Sequence, residues 1–356
     1  MTSLTSGGAE RVMSEIANFA AEHEVEVYII LISENIVRFK LHSSIHLIPI
    51  CDKNRKSNRL LKVWMRAKLM RQEFKRIQPN IIVSFLTVTN IYACIANIQT
   101  QIPLVISERN DPKRDPKSIL QKIIRKLVYP LANGYIFQTD EAKQYFSNRI
   151  QDSAIIIPNP VKNNLPLSSR KKTKKEICAI GRLTDQKNYP LLLAAFSQFY
   201  REYPDYSLHI FGEGENETEI KRLVKVLGID KNVFLEGVVS DIHYRIRDMG
   251  MYVLSSDYEG ISNALMEAMA LGLPCISTDC PCGGSRHLIT NGKNGLLVPV
   301  GDVGAMVDAM KKIVADEKLA DSLSINAISI RNTHSLDKIT NKFFNYFEQV
   351  LNTRRN

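Results

Sequence analysis

Six cysteines are spread over 356 residues, Cys51, Cys94, Cys178, Cys275, Cys280 and Cys282, and none forms a CxxC pair. Cys280-Pro281-Cys282 is a CxC with no second ligand pair nearby, so neither zinc nor redox work is expected of these thiols. No apolar run approaches the roughly 18–20 residues that a bilayer-spanning helix needs. Nothing at the start resembles a secretory leader, and the expected compartment is the cytoplasm. Tryptophan occurs once, at Trp64. With no nucleic-acid motif and no aromatic interleaving of the basic residues, nucleic acid is not an expected partner.

Acidic residues are scarce in one region. The chain holds 47 Lys and Arg against 37 Asp and Glu, a formal charge of +10. Residues 1–160 carry 22 of the bases and 14 of the acids, which is +8 and leaves 25 against 23, or +2, for the remainder. Between Lys53 and Arg76, ten basic residues accompany one acid, Glu73. Leu60, Leu61, Val63, Trp64, Ala67, Leu69, Met70 and Phe74 recur among them at a spacing that suits an amphipathic basic helix. Such a helix is either a solvated face or a peripheral site where apolar side chains dip into an anionic membrane and Lys or Arg meets phosphate.

The length suffices for two domains of roughly 100–200 residues each. Helical and strand patterns alternate throughout, which predicts an α/β fold with parallel sheets. In the first half, helices are predicted over 9–21, 60–77, 90–98, 118–131 and 140–146, and strands over 26–32, 81–85, 104–107, 134–138 and 154–157. The stretch PNPVKNNLPLSSRKKTKK, residues 158–175, has prolines, asparagines and a charge run without apolar periodicity. Its part over 161–175 reads as a linker. A second series follows, with strands over 176–180, 207–211, 233–237, 251–254 and 274–278, helices over 189–203, 217–227 and 242–248, and a further helix after Glu259. The organisation is therefore a Rossmann-like domain over 1–160, the linker, and a second such domain over 176–335, facing each other across a cleft. In such sheets ligands bind beyond the carboxyl ends of the strands, so the loops there carry the chemistry.

After the first strand of the second half comes GRLTDQKN, where Arg182 and Lys187 flank a turn entering a helix, so two cations and a helix amino terminus can converge on one anion. The next strand ends in FGEGENE, whose Gly212 and Gly214 permit a tight turn and close approach of a ligand to the backbone. The stretch EGISNALMEAMALG follows MYVLSS, with Glu259 and Gly260 in the loop and Ser262 or Asn263 as helix cap. Its helix is apolar from Ala264 to Leu271 except for Glu267. A buried carboxylate without donors costs several kcal/mol or shifts its pKa, so Glu267 needs fixed partners, either structural cations or ligand hydroxyls. Near the chain start, SLTSGGAERV places Gly7 and Gly8 just before a helix, as a phosphate or sugar cradle or a simple helix start.

With these loops in this order, the chain resembles the retaining glycosyltransferases of family 4, which share the GT-B fold. The most specific element is the pair of glutamates with seven residues between them, Glu259 and Glu267. Among bacterial members it looks most like enzymes that extend lipid-diphosphate-linked glycans of capsule, O-antigen and protein-glycan pathways. The resemblance implies that Arg182 and Lys187 bind the donor diphosphate and stabilise the departing nucleoside diphosphate, a role that in this family needs no bound metal. It implies that Glu259 contacts hydroxyls of the donor sugar, that the amides after Gly260, at Ile261 and Ser262, lie near phosphate and sugar, and that Glu267 holds the ribose hydroxyls. Gly212, Gly214, Gly7 and Gly8 complete the donor-binding set. The expected donor is a nucleotide sugar, UDP-linked, with no further cofactor. The expected acceptor is a polyprenyl-diphosphate-linked saccharide, met by a basic first half that faces the inner surface of the cytoplasmic membrane. The tract from Leu336 to Leu351 is expected to cross back onto the first domain.

Three positions depart from the family pattern. Where many members carry a histidine, this chain has Glu108, Arg109 and Asn110 in ISERNDP, so the histidine role does not transfer, and Glu108 and Arg109 become candidates for the donor sugar or an acceptor phosphate. The loop DCPCGGSRHLI has Arg286 and His287 where a glutamate is common. Members also have a hydrophobic first strand ahead of the glycine loop, which this chain, beginning MTSL, is expected to lack. Its absence would expose apolar edges of both neighbouring strands. A nucleotide-sugar epimerase of the same fold and a non-catalytic scaffold are the competing readings.

Overall fold

The computed structural model describes residues 1–5, 7–32, 36–50, 59–168 and 174–353. Cys51 and the basic residues Lys53, Arg55 and Lys56 lie outside them. The backbone divides into two compact units, Met1–Pro160 with Leu336–Asn356, and Val161–Ser335.

In the first unit, β1 (Tyr28–Leu31) pairs in parallel with β2 (His46–Pro49). A second parallel sheet has the order β3 (Ile82–Phe85), β4 (Leu104–Ser107), β5 (Gly134–Phe137) and β6 (Ala154–Ile156). Every residue of β4 and β5 is buried, as expected of strands covered on both faces. Met1 and Leu4 lie beside the segment that follows β1. The Met1 carbonyl accepts from the Ile32 amide at 3.0 Å and the Leu4 carbonyl from the Arg38 amide at 2.8 Å. No strand among the described residues joins β1 to β3, and the unit's strands form two sheets. The helix Leu336–Asn352 supplies Phe343, Tyr346, Phe347 and Val350 to a core with Leu4, Val12, Leu31, Phe85, Val105 and Ile136.

The second unit is built on one parallel sheet with the order β12-β11-β10-β7-β8-β9. Its strands are β7 (Lys174–Ile180), β8 (Ser207–Phe211), β9 (Val233–Gly237), β10 (Met249–Leu254), β11 (Cys275–Thr278) and β12 (Leu296–Val298). Successive strands add outward from β7 on one side and from β10 on the other, so the chain reverses direction across the sheet between these two. The stretch read as a linker belongs to this unit as far as it is described, since Val161 and Leu165 are buried in its core. Its last two residues, Lys174 and Lys175, already belong to β7, and the Val161 and Ser168 amides donate to the carbonyls of His334 and Leu271, both at 2.8 Å. The Arg331 guanidinium donates to the carbonyls of Leu165 (2.9 Å), Pro166 (2.7 Å) and Ala270 (2.6 Å), tying the segment to the end of the helix Asn263–Leu271. Arg331→Ala would leave three carbonyls short of a donor and is expected to lower stability by about 2 kcal/mol, read from denaturant unfolding. A loss under about 0.5 kcal/mol would mean that water replaces the guanidinium.

Candidate functional site

The reversal between β7 and β10 sets the loops after these two strands side by side, the place where open parallel sheets bind ligands. The β7 loop, Gly181–Asn188, closes with a single 3-10 turn at Asp185–Lys187. Asn188, at φ 43°, then caps the helix Tyr189–Glu202 by accepting from the Leu191 amide. Several hydrogen bonds join this loop to the β10 loop. Gln186 donates to the Tyr258 carbonyl at 2.9 Å, its own carbonyl accepts from the Asp257 amide at 2.9 Å, Asn188 donates to Asp257 at 2.6 Å, and Ser255 donates to the Lys187 carbonyl at 2.8 Å.

This brings two expected site residues together. Lys187 Nζ lies 2.5 Å from Glu259 Oε1, which also accepts from the Ser256 hydroxyl at 2.9 Å. The side chains are 15% and 11% exposed, too little for water to screen the pair fully. Arg182 is exposed and has no charged partner among the described residues. The loop therefore carries one guanidinium without a charged partner among the described residues and one ammonium that is already matched.

The glycines let neighbouring loops approach closely. A Cβ on Gly212, which sits at φ +134°, would lie 2.1 Å from the Gly181 carbonyl oxygen, and one on Gly214 would lie 2.3 Å from that of Leu183. Side chains are excluded here by the neighbouring loop. A Cβ on Gly284 would fall 1.7 Å from the Gly260 carbonyl oxygen, so the loop after β11 packs equally closely on Gly260. Ile261 is buried in the core, leaving only its backbone to a ligand, and the Ser262 hydroxyl accepts from the Leu265 amide as a helix cap.

Glu267 has a partner in this unit. His243 Nε2, on the short helix Ile242–Ile246, stands 2.9 Å from Glu267 Oε2, and the side chains are 12% and 15% exposed. Of the two expected kinds of partner, structural cations and ligand hydroxyls, the one present here is structural, a histidine 24 residues upstream to which no periodicity points. Arg286 likewise has a partner, Asp279, at 2.8 Å.

In the first unit the Gly7 amide donates to the Glu10 carboxylate at 3.1 Å, and Thr5 N (2.7 Å) and Ser3 Oγ (2.9 Å) donate there too. The Gly7–Gly8 cradle is thus filled in part by the chain's own carboxylate, in the capping-box manner. Glu10 is a residue that sequence reasoning missed, although a glutamate three positions after the cap is the signal for it. Glu108 points inward. It accepts from the hydroxyls of Thr87 and Tyr129, and burial pushes its carboxyl up to about 7 against the pull of Arg125. Arg109, 8% exposed, lies over the rings of Phe85 and Phe343 and donates to Asn159 at 3.1 Å. Its Nε and Nη2 have no acceptor among the described residues, and burial lowers its pKa to about 9. Among the described residues no group of three His, Cys, Asp or Glu is placed to hold a metal ion.

The family profile described as Glycosyl transferases group 1 matches residues 162–329, and that described as Glycosyltransferase Family 4 matches residues 6–164. A Campylobacter jejuni protein, N-acetylgalactosamine-N,N'-diacetylbacillosaminyl-diphospho-undecaprenol 4-alpha-N-acetylgalactosaminyltransferase, is 29% identical over 336 residues, 89% of each chain. Another from that organism, GalNAc-alpha-(1->4)-GalNAc-alpha-(1->3)-diNAcBac-PP-undecaprenol alpha-1,4-N-acetyl-D-galactosaminyltransferase, is 27% identical over 360 residues, 99% of this chain and 98% of the relative. The backbone is similar to that of HepE from Anabaena in complex with UDP, with a TM-score of 0.80 at 16% identity over 97% of both chains.

Proposed function

The chain belongs to the family 4 glycosyltransferases of GT-B fold, and from that premise we propose that it moves a hexose or N-acetylhexosamine, with retention, from a UDP-linked donor to a polyprenyl-diphosphate-linked saccharide. The observation that carries the reading is the Lys187–Glu259 pair at the point where the sheet order reverses, on a loop that also carries the exposed Arg182. Two cations there suit a diphosphate whose charge grows as the sugar departs, and fixed charge matters most where solvent is scarce. Glu259, held by Ser256, is placed to accept from donor-sugar hydroxyls once the diphosphate draws Lys187 away. It positions and polarises and is not a nucleophile. Glu267 would take the ribose hydroxyls, with His243 as its anchor. The two Campylobacter relatives, whose names specify undecaprenol-linked substrates, support a lipid-linked acceptor. In the first unit, Arg109 is the candidate contact for a phosphate of that acceptor or for the donor sugar.

We further read the protein as peripheral to the inner face of the cytoplasmic membrane. No helix among the described residues is long and apolar enough to cross one. Lys68 and Lys75 on the basic helix Arg59–Ile77 are exposed and suit an anionic surface. Arg71 does not belong to that set, because its guanidinium donates to the carbonyls of Ile95 and Ala96.

Calorimetric titration with UDP and then GDP tests the donor site. Micromolar binding of UDP, weakened roughly tenfold to a hundredfold in Arg182→Ala, is expected for the loss of one charged hydrogen-bonding group. Equal affinity in the variant would remove Arg182 from the site. Release of UDP from a UDP-sugar only when a lipid-linked acceptor is present separates transfer from epimerisation.

A further inference from the structure

The helix Ile119–Val128 is inside out. Surface helices ordinarily bury an apolar stripe and show a polar one. Here Ile119 is 75%, Leu120 52%, Ile123 52% and Leu127 70% exposed, while Arg125 is 2% exposed. At about 100° per residue the four aliphatic side chains form one stripe, with Arg125 on the opposite side. The rotation is fixed by that arginine. Its guanidinium donates to the carbonyls of Pro112 (2.7 Å) and Asp115 (2.9 Å) and lies against the rings of Tyr145 and Phe146. Turning the stripe inward would break these contacts, so it faces outward by construction. Leu131, 50% exposed, continues it just past the helix end.

We propose that this helix is the surface by which the protein docks on an anionic lipid bilayer, its aliphatic stripe entering the headgroup region and its basic border meeting lipid phosphates. Lys113, Arg114 and Lys117 before the stripe and Lys126 beside it are exposed, and Asp115 is the only acid between Lys113 and Leu131. Apolar side chains bordered by uncompensated lysines match an interfacial helix at an anionic surface. They match a protein partner poorly, because lysine is depleted at protein interfaces. A ten-residue helix is about 15 Å long, enough to lie along a membrane surface and too short to cross it. The proposal deepens the membrane-facing part of the reading above and stands apart from its transferase part.

Flotation of the full chain with phosphatidylglycerol-containing vesicles and with pure phosphatidylcholine vesicles tests it. The protein is expected to float with the anionic vesicles, less so as salt rises. The variant Ile119→Ser, Ile123→Ser, Leu127→Ser should partition at least about tenfold less, with UDP affinity and melting temperature unchanged. In a Trp64→Phe background, Leu127→Trp should be quenched by lipids brominated on their acyl chains. Equal flotation of the serine variant, or no quenching of a vesicle-bound Leu127→Trp protein, overturns the proposal. So does a dimer that the serine substitutions convert to monomer without altering flotation, since the stripe would then join two copies. Vesicle binding without UDP binding would count against the transferase reading alone.

Discussion

Lys187→Ala is expected to slow transfer by roughly 10²–10³-fold, the usual cost of deleting one preorganised group that meets developing charge. The effect has two sources that can be separated. The first is the lost cation for the departing diphosphate. The second is Glu259, which is 11% exposed and would keep Ser256 as its partner but lose the ammonium 2.5 Å away. Removing one member of such a buried pair typically costs about 3–5 kcal/mol, because the other charge stays desolvated. Adding Glu259→Gln to Lys187→Ala should therefore recover part of the lost stability while transfer stays low. Glu259→Gln alone should slow transfer and leave much of the affinity for UDP, which lacks the sugar. Turnover and melting temperature of the two single variants and the double variant form the test. Strictly additive effects would show that the two residues are not coupled.

Glu108→Gln is expected to raise stability by roughly 3 kcal/mol above pH 7 and to have little effect below pH 4.5. The carboxyl is buried and pushed from 4.5 up to about 7. Between those values the folded chain binds a proton that the unfolded chain has released, so this group's contribution falls as pH rises through the window. At about 1.4 kcal/mol per pKa unit, the gap corresponds to that figure. A glutamine has no charge to desolvate and should remove the slope. The quantity to measure is the difference in denaturant midpoint between the two proteins from pH 4.5 to 8, which cancels the titration of other groups. A difference that is flat with pH would mean that Glu108 stays ionised throughout.

The sequence discloses some of this structure well and some not at all. Strands such as Leu104–Ser107 and Ser207–Phe211 are short apolar runs between turn residues, and the structure places strands at those same residues. The short β2 and β12 escape the same reasoning. His46–Pro49 is a largely exposed pair partner, and Leu296–Val298 is three residues wedged between a glycine turn and a proline. Glu259 and Lys187 each stand out by residue type and by the loop that holds them. Their pairing across 72 residues depends on the order of β7 and β10, which local pattern does not encode. Glu267 demands a donor on desolvation grounds, yet His243 becomes that donor only when two helices pack. Glu108 and Arg109 are adjacent in sequence but face different environments, because successive side chains leaving a strand alternate in direction. One meets hydroxyls in the interior and the other two phenylalanine rings.

The glycine contacts have a practical consequence for redesigning sugar preference. The loops after β7, β8, β10 and β11 are fitted backbone against backbone, with Gly212 and Gly214 on Gly181 and Leu183, and Gly284 on Gly260. A loop grafted singly from another enzyme would bring its own curvature against a neighbour shaped for the original, and even one added methyl group would displace a peptide of the facing loop. The smallest portable cassette is therefore the four loops together. Within that cassette, an exposed side chain such as Arg182 takes no part in the backbone fit, so replacing it probes binding without disturbing the loops.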